Sequence, residues 1–540
     1  MTPGLSGKPG AGRERPGFQA IEDLATAYWL SECLFAAVEM GIFGLIESAP
    51  GGKSEAELSA ALGAGEDELG RLLRCLCSLG LVFERPERRG FYFNSAAASR
   101  YLVPGKKDYQ GDIVLWRREL RPRWTGLKKR ILGNNVPGEG LKGAGRPTGE
   151  IGQKQGIDYG RITRYIRAMD SVARMKAEEI MDVLGPFPPE GEVLDAGAGS
   201  GAISAALLDR APGLRATLMD IRQVIDLTSR MMKRRGFTNG EGGRITLCPA
   251  NLLDPWPFEA GRFRLVILSN IIHVYSGAEL PHILENAAGC LAGDGLMLIH
   301  DFFPEHDPVK ASLFDLNMLV NTYNGRVFHM DEVRDSLLRM GLSSTGLMPL
   351  PSDTALLAAS RDPSAFSGLR PDPVARLSAK VRGLGFIRVF PIRPEDVDIP
   401  GWTSLRCRYG CENFGRPFCP PDAPRCEEIS EETRALIRGC SKALLLEGEP
   451  PSRDFQVKVL KAEKEAFVSG FYKAFSYWAG PCAICPSCAK DVCKNPRDRR
   501  PSMEGAGIDV FETARRAGLD LKTLSGRDEF VRYFALLLLE

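Results

Sequence analysis

The chain has 540 residues, of which 44% are hydrophobic and 26% charged, with a formal net charge of +2. That length exceeds what one hydrophobic core organises, so three to four domains of an ordinary soluble protein are expected. The near-neutral balance excludes a global field for nucleic acid or an anionic membrane, and no apolar run approaches the ~20 residues of a membrane span.

The first stretch, "MTPGLSGKPGAGRERPG", has no apolar h-region, so residues 1–17 read as a disordered leader and the protein as cytoplasmic. Residues 18–105 follow as helices and a hairpin. "EDLATAYWLSECLFAAVEMGIFGLI" has the spacing of one buried helix, "KSEAELSAAL" and "GEDELGRLLRCLCSLGLV" give two more, and "FERPERRGFYF" reads as a two-strand wing around Arg88-Arg89-Gly90. Together they form a winged-helix pattern. Seven Lys/Arg stand against twelve Asp/Glu over 18–100, the wrong sign for phosphate contacts, so dimerisation is expected rather than DNA binding.

Residues 106–165 read as a linker and lid region. "WRRELRPRWTGLKKR" at 116–130 holds seven basic residues and one acid, a solvated helix face before a nucleic-acid stripe, and eight glycines over 133–156 suggest a mobile loop. Over 166–361 strand and helix alternate: "EVLDAG", "RATLMDI", "RITLCPA", "FRLVILSN", "GLMLIHDF" and "TALLAAS" are the strands of a doubly wound α/β domain. A linker rich in Pro, Asp and Arg covers 362–375. The remainder, 376–540, mixes short strands ("FIRVFPI", "KALLLEG", "YFALLLL") with helices near 455–476 and 508–517, an α+β pattern.

"VLDAGAGSGAISAALL" carries the first chemistry. A strand ends at Asp195, a glycine-rich turn follows and a helix begins, the arrangement that lets a backbone approach a ligand where a Cβ would clash. Alone the turn is ambiguous, because Gly197, Gly199 and Ala202 also satisfy the dinucleotide pattern. Asp220 ends the second strand and suits the ribose of NAD or of S-adenosylmethionine. Asp195 on the strand, "CPANLLD" with Asn251 and Leu252 after the third strand, and "SNIIHVYSGAE" after the fourth favour S-adenosylmethionine.

As a set these motifs, over about 18–360, resemble the small-molecule O-methyltransferases of the hydroxyindole, phenylpropanoid and polyketide type. The resemblance implies an N-terminal winged-helix dimerisation domain, a Rossmann-like class I methyltransferase domain whose seventh strand is antiparallel, a homodimer, and a small hydroxylated aromatic or heteroaromatic substrate. It makes Asp195, Gly197, Gly199, Gly201, Asp220, Asn251 and Leu252 the cofactor-binding residues, and His273 the base that takes the acceptor's proton. A lone histidine at a strand end is otherwise a satisfied structural imidazole. Asp301 matches the first of the family's two acids and would hold the imidazole's tautomer. Val327 stands near the place of the second, and the motif's Asp and Trp are here Val274 and Tyr275. Met318, Asn321 and Tyr323 fall on the family's substrate-pocket helix. These departures keep open another class of function, a redox-sensing or partner-binding protein that uses the fold as a ligand scaffold.

Nine of the 14 cysteines lie after residue 400, and all five histidines lie before it. Dense cysteines on a long chain suggest metal or redox chemistry rather than a disulfide framework. Cys482, Cys485, Cys488 and Cys493 are spaced C-x2-C-x2-C-x4-C, with Pro496 beyond, close to the bacterial ferredoxin run. A four-thiolate zinc site is the alternative. Cys407, Cys411, Cys419 and Cys426 form a looser upstream set that holds a second cluster or completes the first, while Cys440 reads as a buried structural cysteine. Both sets, with "GFYKAFSYWAGPC" and "RPSMEGAGIDVFETA", resemble a family of predicted metal-binding, cysteine-rich domains of unassigned function. The tail is therefore expected to be a 4Fe–4S module, with zinc as the alternative and a redox partner possible in principle.

Overall fold

The computed structural model describes residues 17–132, 159–185, 190–240, 242–414, 426–488, 493–519, 521 and 532–540. It contains two compact units, one holding Asp23–Asp372 and the other Pro373–Glu540. The leader up to residue 16 and the glycine-rich stretch 133–156 lie outside the described residues. Among the described residues no helix is long and apolar enough to cross a membrane.

The first unit takes in α1 (Gly17–Glu39) from Asp23 onward and then α2 (Ile42–Glu47). A single helix was expected here, but Gly41 takes φ 73° and breaks it, a conformation that costs glycine little. Then come β1 (Lys53–Ser54), α3 (Glu55–Leu62), α4 (Glu66–Ser78), β2 (Val82–Arg85), β3 (Arg88–Asn94) and α5 (Ala96–Tyr101). Ser54 and Glu57 close a capping box at the start of α3. Leu69, Leu73 and Leu76 give α4 its buried face. The three strands pair antiparallel in the order β1-β3-β2. The wing turns at Pro86-Glu87 rather than around Arg88-Arg89-Gly90, which lie within β3. Proline suits the early turn position, and Gly90 at φ 78° donates its N–H to Glu84 beside the register shift at Glu84/Arg85.

The stretch expected as linker and lid holds α6 (Gly111–Trp124), α7 (Leu127–Ile131) and the start of α8 (Tyr159–Leu184). Beyond it run β4 (Glu190–Ala196), α9 (Ala202–Arg210), β5 (Gly213–Asp220), α10 (Arg222–Arg234), β6 (Ile245–Pro249), β7 (Phe263–Ser269), α11 (Leu280–Cys290), β8 (Leu291–Asp301), α12 (Pro308–Asn321), α13 (Met330–Arg339), β9 (Ser343–Ser344), β10 (Met348–Pro349) and β11 (Ala355–Ser360). The sheet order is β10-β11-β8-β7-β4-β5-β6, with β9 pairing β11. β4 through β8 are mutually parallel, and β11 runs antiparallel to β8, the strand direction the resemblance implied. Two apolar cores cover the two faces, which is why these strands read as nearly continuous hydrophobic runs. The carboxyl ends of β4, β5, β7 and β8 gather on one edge and carry the residues of the site.

The second unit contains α14 (Pro373–Gly383), β12 (Arg388–Ile392), α15 (Trp402–Gly410), α16 (Cys426–Arg438), β13 (Ala443–Gly448), α17 (Ser452–Val468), β14 (Phe475–Tyr477), α18 (Val510–Arg516) and β15 (Tyr533–Leu538). Its sheet is antiparallel, in the order β12-β13-β15-β14. Residues alternate between two cores: Leu444, Leu446, Ala535 and Leu537 face one, and Leu445, Leu536 and Leu538 the other.

Candidate functional sites

Asp195, next to last in β4, is almost fully buried and accepts the Ser204 hydroxyl at 2.6 Å. The turn that follows places Gly197, Gly199 and Gly201 at φ 82°, 55° and 72°. A Cβ on Gly197 would lie 2.7 Å from the Ile271 side chain, and one on Gly201 2.7 Å from the Met232 sulfur. Gly199 differs: it has the same left-handed backbone but faces open space. Asp220, at the end of β5, accepts the N–H of Gly199 at 2.9 Å and of Ile221 at 2.8 Å, so strand end and glycine turn are tied together. Burial pushes the carboxyls of Asp195 and Asp220 up to about 6, and for Asp195 the charge of Asp220 adds to it. The segment after β6 joins the group through the bond from Ala250 N–H to the Asp220 carbonyl. Asn251 is buried there, with its amide oxygen on Leu253 N–H, and Leu252 packs into the core.

One residue at this edge was not foreseen. Asn270 follows β7 at φ 50°, the one non-glycine with positive φ among the described residues. Its N–H bonds the His300 carbonyl at 2.7 Å, while its buried amide oxygen has no partner. An orphaned acceptor beside a glycine turn open to space suits a ligand with donors such as hydroxyl and ammonium groups, which S-adenosylmethionine has. The signal in the sequence was slight: asparagine, directly after a strand, is the side-chain-bearing residue that best tolerates this conformation.

His273 lies in a short 3-10 turn just beyond. Its Nδ1 stands 2.6 Å from Asp301 Oδ1, and Asp301 also accepts the backbone N–H of His273 and of Phe302. An ionised carboxylate only accepts, so Nδ1 carries the proton and Nε2 keeps its lone pair. Phe314 meets the imidazole edge-on at 4.9 Å and stacks on Phe302 at 3.9 Å, two aromatic walls the sequence analysis did not name. Val327 is buried, its N–H on Asp315. Met318 and Asn321 are buried on α12, with Asn321 accepting from Arg123 at 3.1 Å, and Tyr323 is 41% exposed.

In the second unit, Cys482, Cys485, Cys488 and Cys493 line one cavity of about 270 Å³ with Ser452, Asn495 and Arg499. Asn495 donates to the Cys485 sulfur at 3.0 Å. Burial pushes the Cys482 thiol up against the lowering effect of the Ile484 N–H, and the other three cysteines push it the same way as burial. The loop is held by Gln456, fully buried on α17. Its amide nitrogen donates to the carbonyls of Ala479 and Pro481, and its oxygen accepts Ala483 N–H at 2.7 Å. Four sulfurs around one cavity, with N–H donors aimed at two of them, suit a thiolate-bound metal group. Among the described residues, no three ligand side chains lie together at metal-binding distance. Upstream, the Cys407 sulfur lies 3.9 Å from the Glu504 carbonyl, and the Glu504 carboxylate accepts the N–H of Gly480 at the foot of the loop. Cys411 is exposed. Cys419 and the side chain of Cys426 lie outside the described residues.

Comparisons with known proteins agree with this division. An O-methyltransferase dimerisation domain model matches residues 22–104, an O-methyltransferase domain model residues 149–343, and a predicted metal-binding protein model (DUF2284) residues 391–539. The 3-hydroxy-5-methyl-1-naphthoate 3-O-methyltransferase of Streptomyces sahachiroi is 30% identical over 328 residues, which are 60% of this chain and 89% of that protein. The chain belongs to the small-molecule O-methyltransferase family. Acetylserotonin O-methyltransferase of Bos taurus is 28% identical over 320 residues, 57% of this chain and 88% of that one. The human N-acetylserotonin methyltransferase structure, in complex with SAM, shares the fold at a TM-score of 0.55 and 23% identity, covering 65% of this chain and 99% of that chain. These matches cover 57–65% of this chain, and the metal-binding family model covers a separate stretch, residues 391–539.

Proposed function

We propose that this methyltransferase moves the methyl group of S-adenosylmethionine to a hydroxyl of a small aromatic or heteroaromatic molecule, and that its second unit holds a 4Fe–4S cluster. The observation that carries the first part is the 2.6 Å bond between His273 Nδ1 and Asp301, at the strand edge that also bears the glycine turn. The cofactor, when bound, supplies a sulfonium-activated methyl group. The chain's own residues do the rest. Asp220 and the Asn270 amide oxygen accept from the cofactor's hydroxyl and ammonium groups, and Gly199 leaves room for it. His273 Nε2 takes the proton of the acceptor hydroxyl, and Asp301 fixes the tautomer that makes this possible. Phe302 and Phe314 orient the imidazole and keep water from it. Two curated relatives named above act on a naphthoate and on acetylserotonin, both aromatic.

A homodimer is supported by the dimerisation domain and by α1, whose Leu24, Tyr28 and Trp29 are each more than half exposed. For the second unit, Cys482, Cys485, Cys488 and Cys493 are the proposed ligands, with Cys407, Cys411, Cys419 and Cys426 completing the site or forming another. The C-x2-C-x2-C-x4-C spacing with Pro496 beyond, rather than two well-separated C-x2-C pairs, favours iron–sulfur over zinc.

Incubation with methyl-labelled cofactor and a set of hydroxyarenes tests the first part. Label in an alkali-stable ether supports it; label on nitrogen, or cofactor binding with no transfer to any acceptor, would replace it with another acceptor atom or with a ligand-binding scaffold. Iron and acid-labile sulfide in near-equal amounts on anaerobically purified protein support the second. Zinc without sulfide refutes it.

A further inference from the structure

A second cavity in the cysteine-rich unit lies beside the cysteine loop. It is an open groove of about 540 Å³ along one face of α17. Leu460, Ala474 and Ile484 border it and pack on the unit's core. Val457, Lys461, Lys464 and Phe467 line it from the helix, recurring at spacings of three and four residues. Arg497, Asp498 and Arg500 line it from the segment that follows Cys493. Ile484, between Cys482 and Cys485, borders both this groove and the cysteine cavity.

Within the groove, Glu463 is already satisfied: it accepts Arg500 Nε at 2.9 Å and the Ser476 N–H at 2.8 Å. Lys461, Lys464 and Arg497 are exposed and make no side-chain hydrogen bond or ion pair among the described residues, against one acid, Asp498, in the same condition. Four cations and two acids line the groove, a net charge of +2. Apolar surface stands open among these charges. Phe467 and Val468 are 61% and 64% exposed on the last turn of α17, and Tyr472 just beyond is 66% exposed. Exposed aromatic and aliphatic groups inside a rim of unpaired charge are the make-up of a protein interface. The patch runs along a helix of 17 residues, about 25 Å long, which suits the small interface of a transient electron-transfer encounter rather than a permanent one.

We propose that this groove docks a small acidic electron-carrier protein, whose carboxylates meet Lys461, Lys464 and Arg497 while an apolar patch meets Phe467. The charge selects an acidic partner, and the exposed Val457, Phe467 and Val468 select a protein, since a nucleic-acid backbone is held by rows of cations and gains nothing from aliphatic surface. The position selects an electron carrier. A protein seated here lies against Ile484, between two of the four cysteines, so a reduced carrier is brought beside the group those cysteines hold. The exchange is one electron from the carrier to that group, with no bond made or broken. The carrier's role rests on the 4Fe–4S reading above, whereas the docking is measurable without it.

Calorimetric binding to the full chain is the direct test. The probes are three oxidised acidic carriers (a plant-type ferredoxin, a two-cluster bacterial ferredoxin and a flavodoxin) and parvalbumin, an acidic protein that carries no electrons. At least one carrier should bind, at least about tenfold more tightly than parvalbumin, and lose at least about tenfold in affinity between about 20 and 300 mM salt. K461E/K464E should lose at least about tenfold at low salt, and F467A severalfold with the salt dependence kept. Melting temperature and S-adenosylhomocysteine affinity check that each variant is folded. No binding by any carrier, undiminished binding in K461E/K464E, or parvalbumin bound as tightly overturns the proposal. So does a single-stranded oligonucleotide that binds more tightly than every carrier, or a change of oligomeric state in K461E/K464E, which would give the face to a second copy of the chain. Iron and sulfide content, read on the same preparations, separates the two readings. Cluster-loaded protein that binds no carrier overturns the docking and keeps the cluster. Zinc-loaded protein with carrier-selective binding that K461E/K464E loses keeps the docking groove and removes the 4Fe–4S reading.

Discussion

Cofactor affinity should depend on pH through Asp220, and the size of the effect can be worked out. Burial holds this carboxyl at about 6, well above its ordinary value, even though two backbone N–H groups favour its charged form. Ribose hydroxyls donate, so they bind the ionised carboxylate better than the acid. With a pKa of about 6, the ionised fraction falls from nearly all at pH 7.5 to about one in eleven at pH 5, so affinity should fall about tenfold, or ~1.4 kcal/mol. A carboxyl at the ordinary value of about 3.9 would lose less than about a tenth of its affinity over that range. The same shift has a mirror image in the free protein. A raised acid binds more protons folded than unfolded between about pH 4 and 6, so stability from this group is present below pH 4 and is lost as pH rises through 6. Calorimetric titration of S-adenosylhomocysteine from pH 7.5 to 5 measures the first effect. Because Asp195 titrates in the same range, D220N isolates Asp220: it should bind more weakly at pH 7.5 and show a flatter profile. An affinity constant across the range in the wild-type protein, or the same tenfold loss in D220N, would refute the reasoning.

Three further outcomes follow from particular contacts. D301N keeps the shape beside His273 but presents an amide that can donate to Nδ1 and so favours the wrong tautomer; turnover should fall about 10²–10⁴-fold with cofactor affinity little changed, as single-turnover rates and calorimetry would show. N270G removes both the strained side chain and the orphaned amide oxygen. Its melting temperature should hold or rise, by an amount equivalent to about 1 kcal/mol, while affinity for S-adenosylmethionine drops severalfold; a loss of stability would contradict the strain assignment. Q456L leaves two carbonyls and one N–H of the cysteine loop without their buried partner, at a cost of about 1–3 kcal/mol for each unsatisfied group, so it should lower iron and sulfide per chain without altering the first unit's cofactor affinity.

The elements that were legible from sequence are those whose pattern is local. All six long strands of the first unit's sheet fall where their apolar runs put them, because strands buried on both faces need hydrophobic residues at every position. The glycine turn and its neighbouring carboxylates were equally plain, since the backbone conformation there restricts which residue can stand at each position. Local errors had local causes. Gly41 splits an apolar stretch whose spacing runs on unbroken, and Pro86 moves the wing's turn off the glycine that seemed to mark it. Periodicity does not report a single left-handed residue. β14 is only three residues long, too short for an alternation to register.

What the sequence hid were residues outside any motif whose role depends on a partner far along the chain. Phe302 and Phe314 are ordinary apolar residues until they stack beside His273. Gln456 is one glutamine on a polar helix until its amide clamps a loop 23 to 27 residues away. Arg117 is the sharpest case. In sequence it belongs to a run of seven basic residues that reads as a solvated face, and for much of that run the reading suits the ion pairs observed: Arg118 meets Glu39, Arg121 meets Glu32. Charge alone could not separate Arg117 from these neighbours: burial lowers its pKa, and the acid within electrostatic reach is Asp353, far along the chain. A run of like charges is thus not one feature. Residues at successive helical positions face different surroundings, so members of one run meet acids on different elements of the fold.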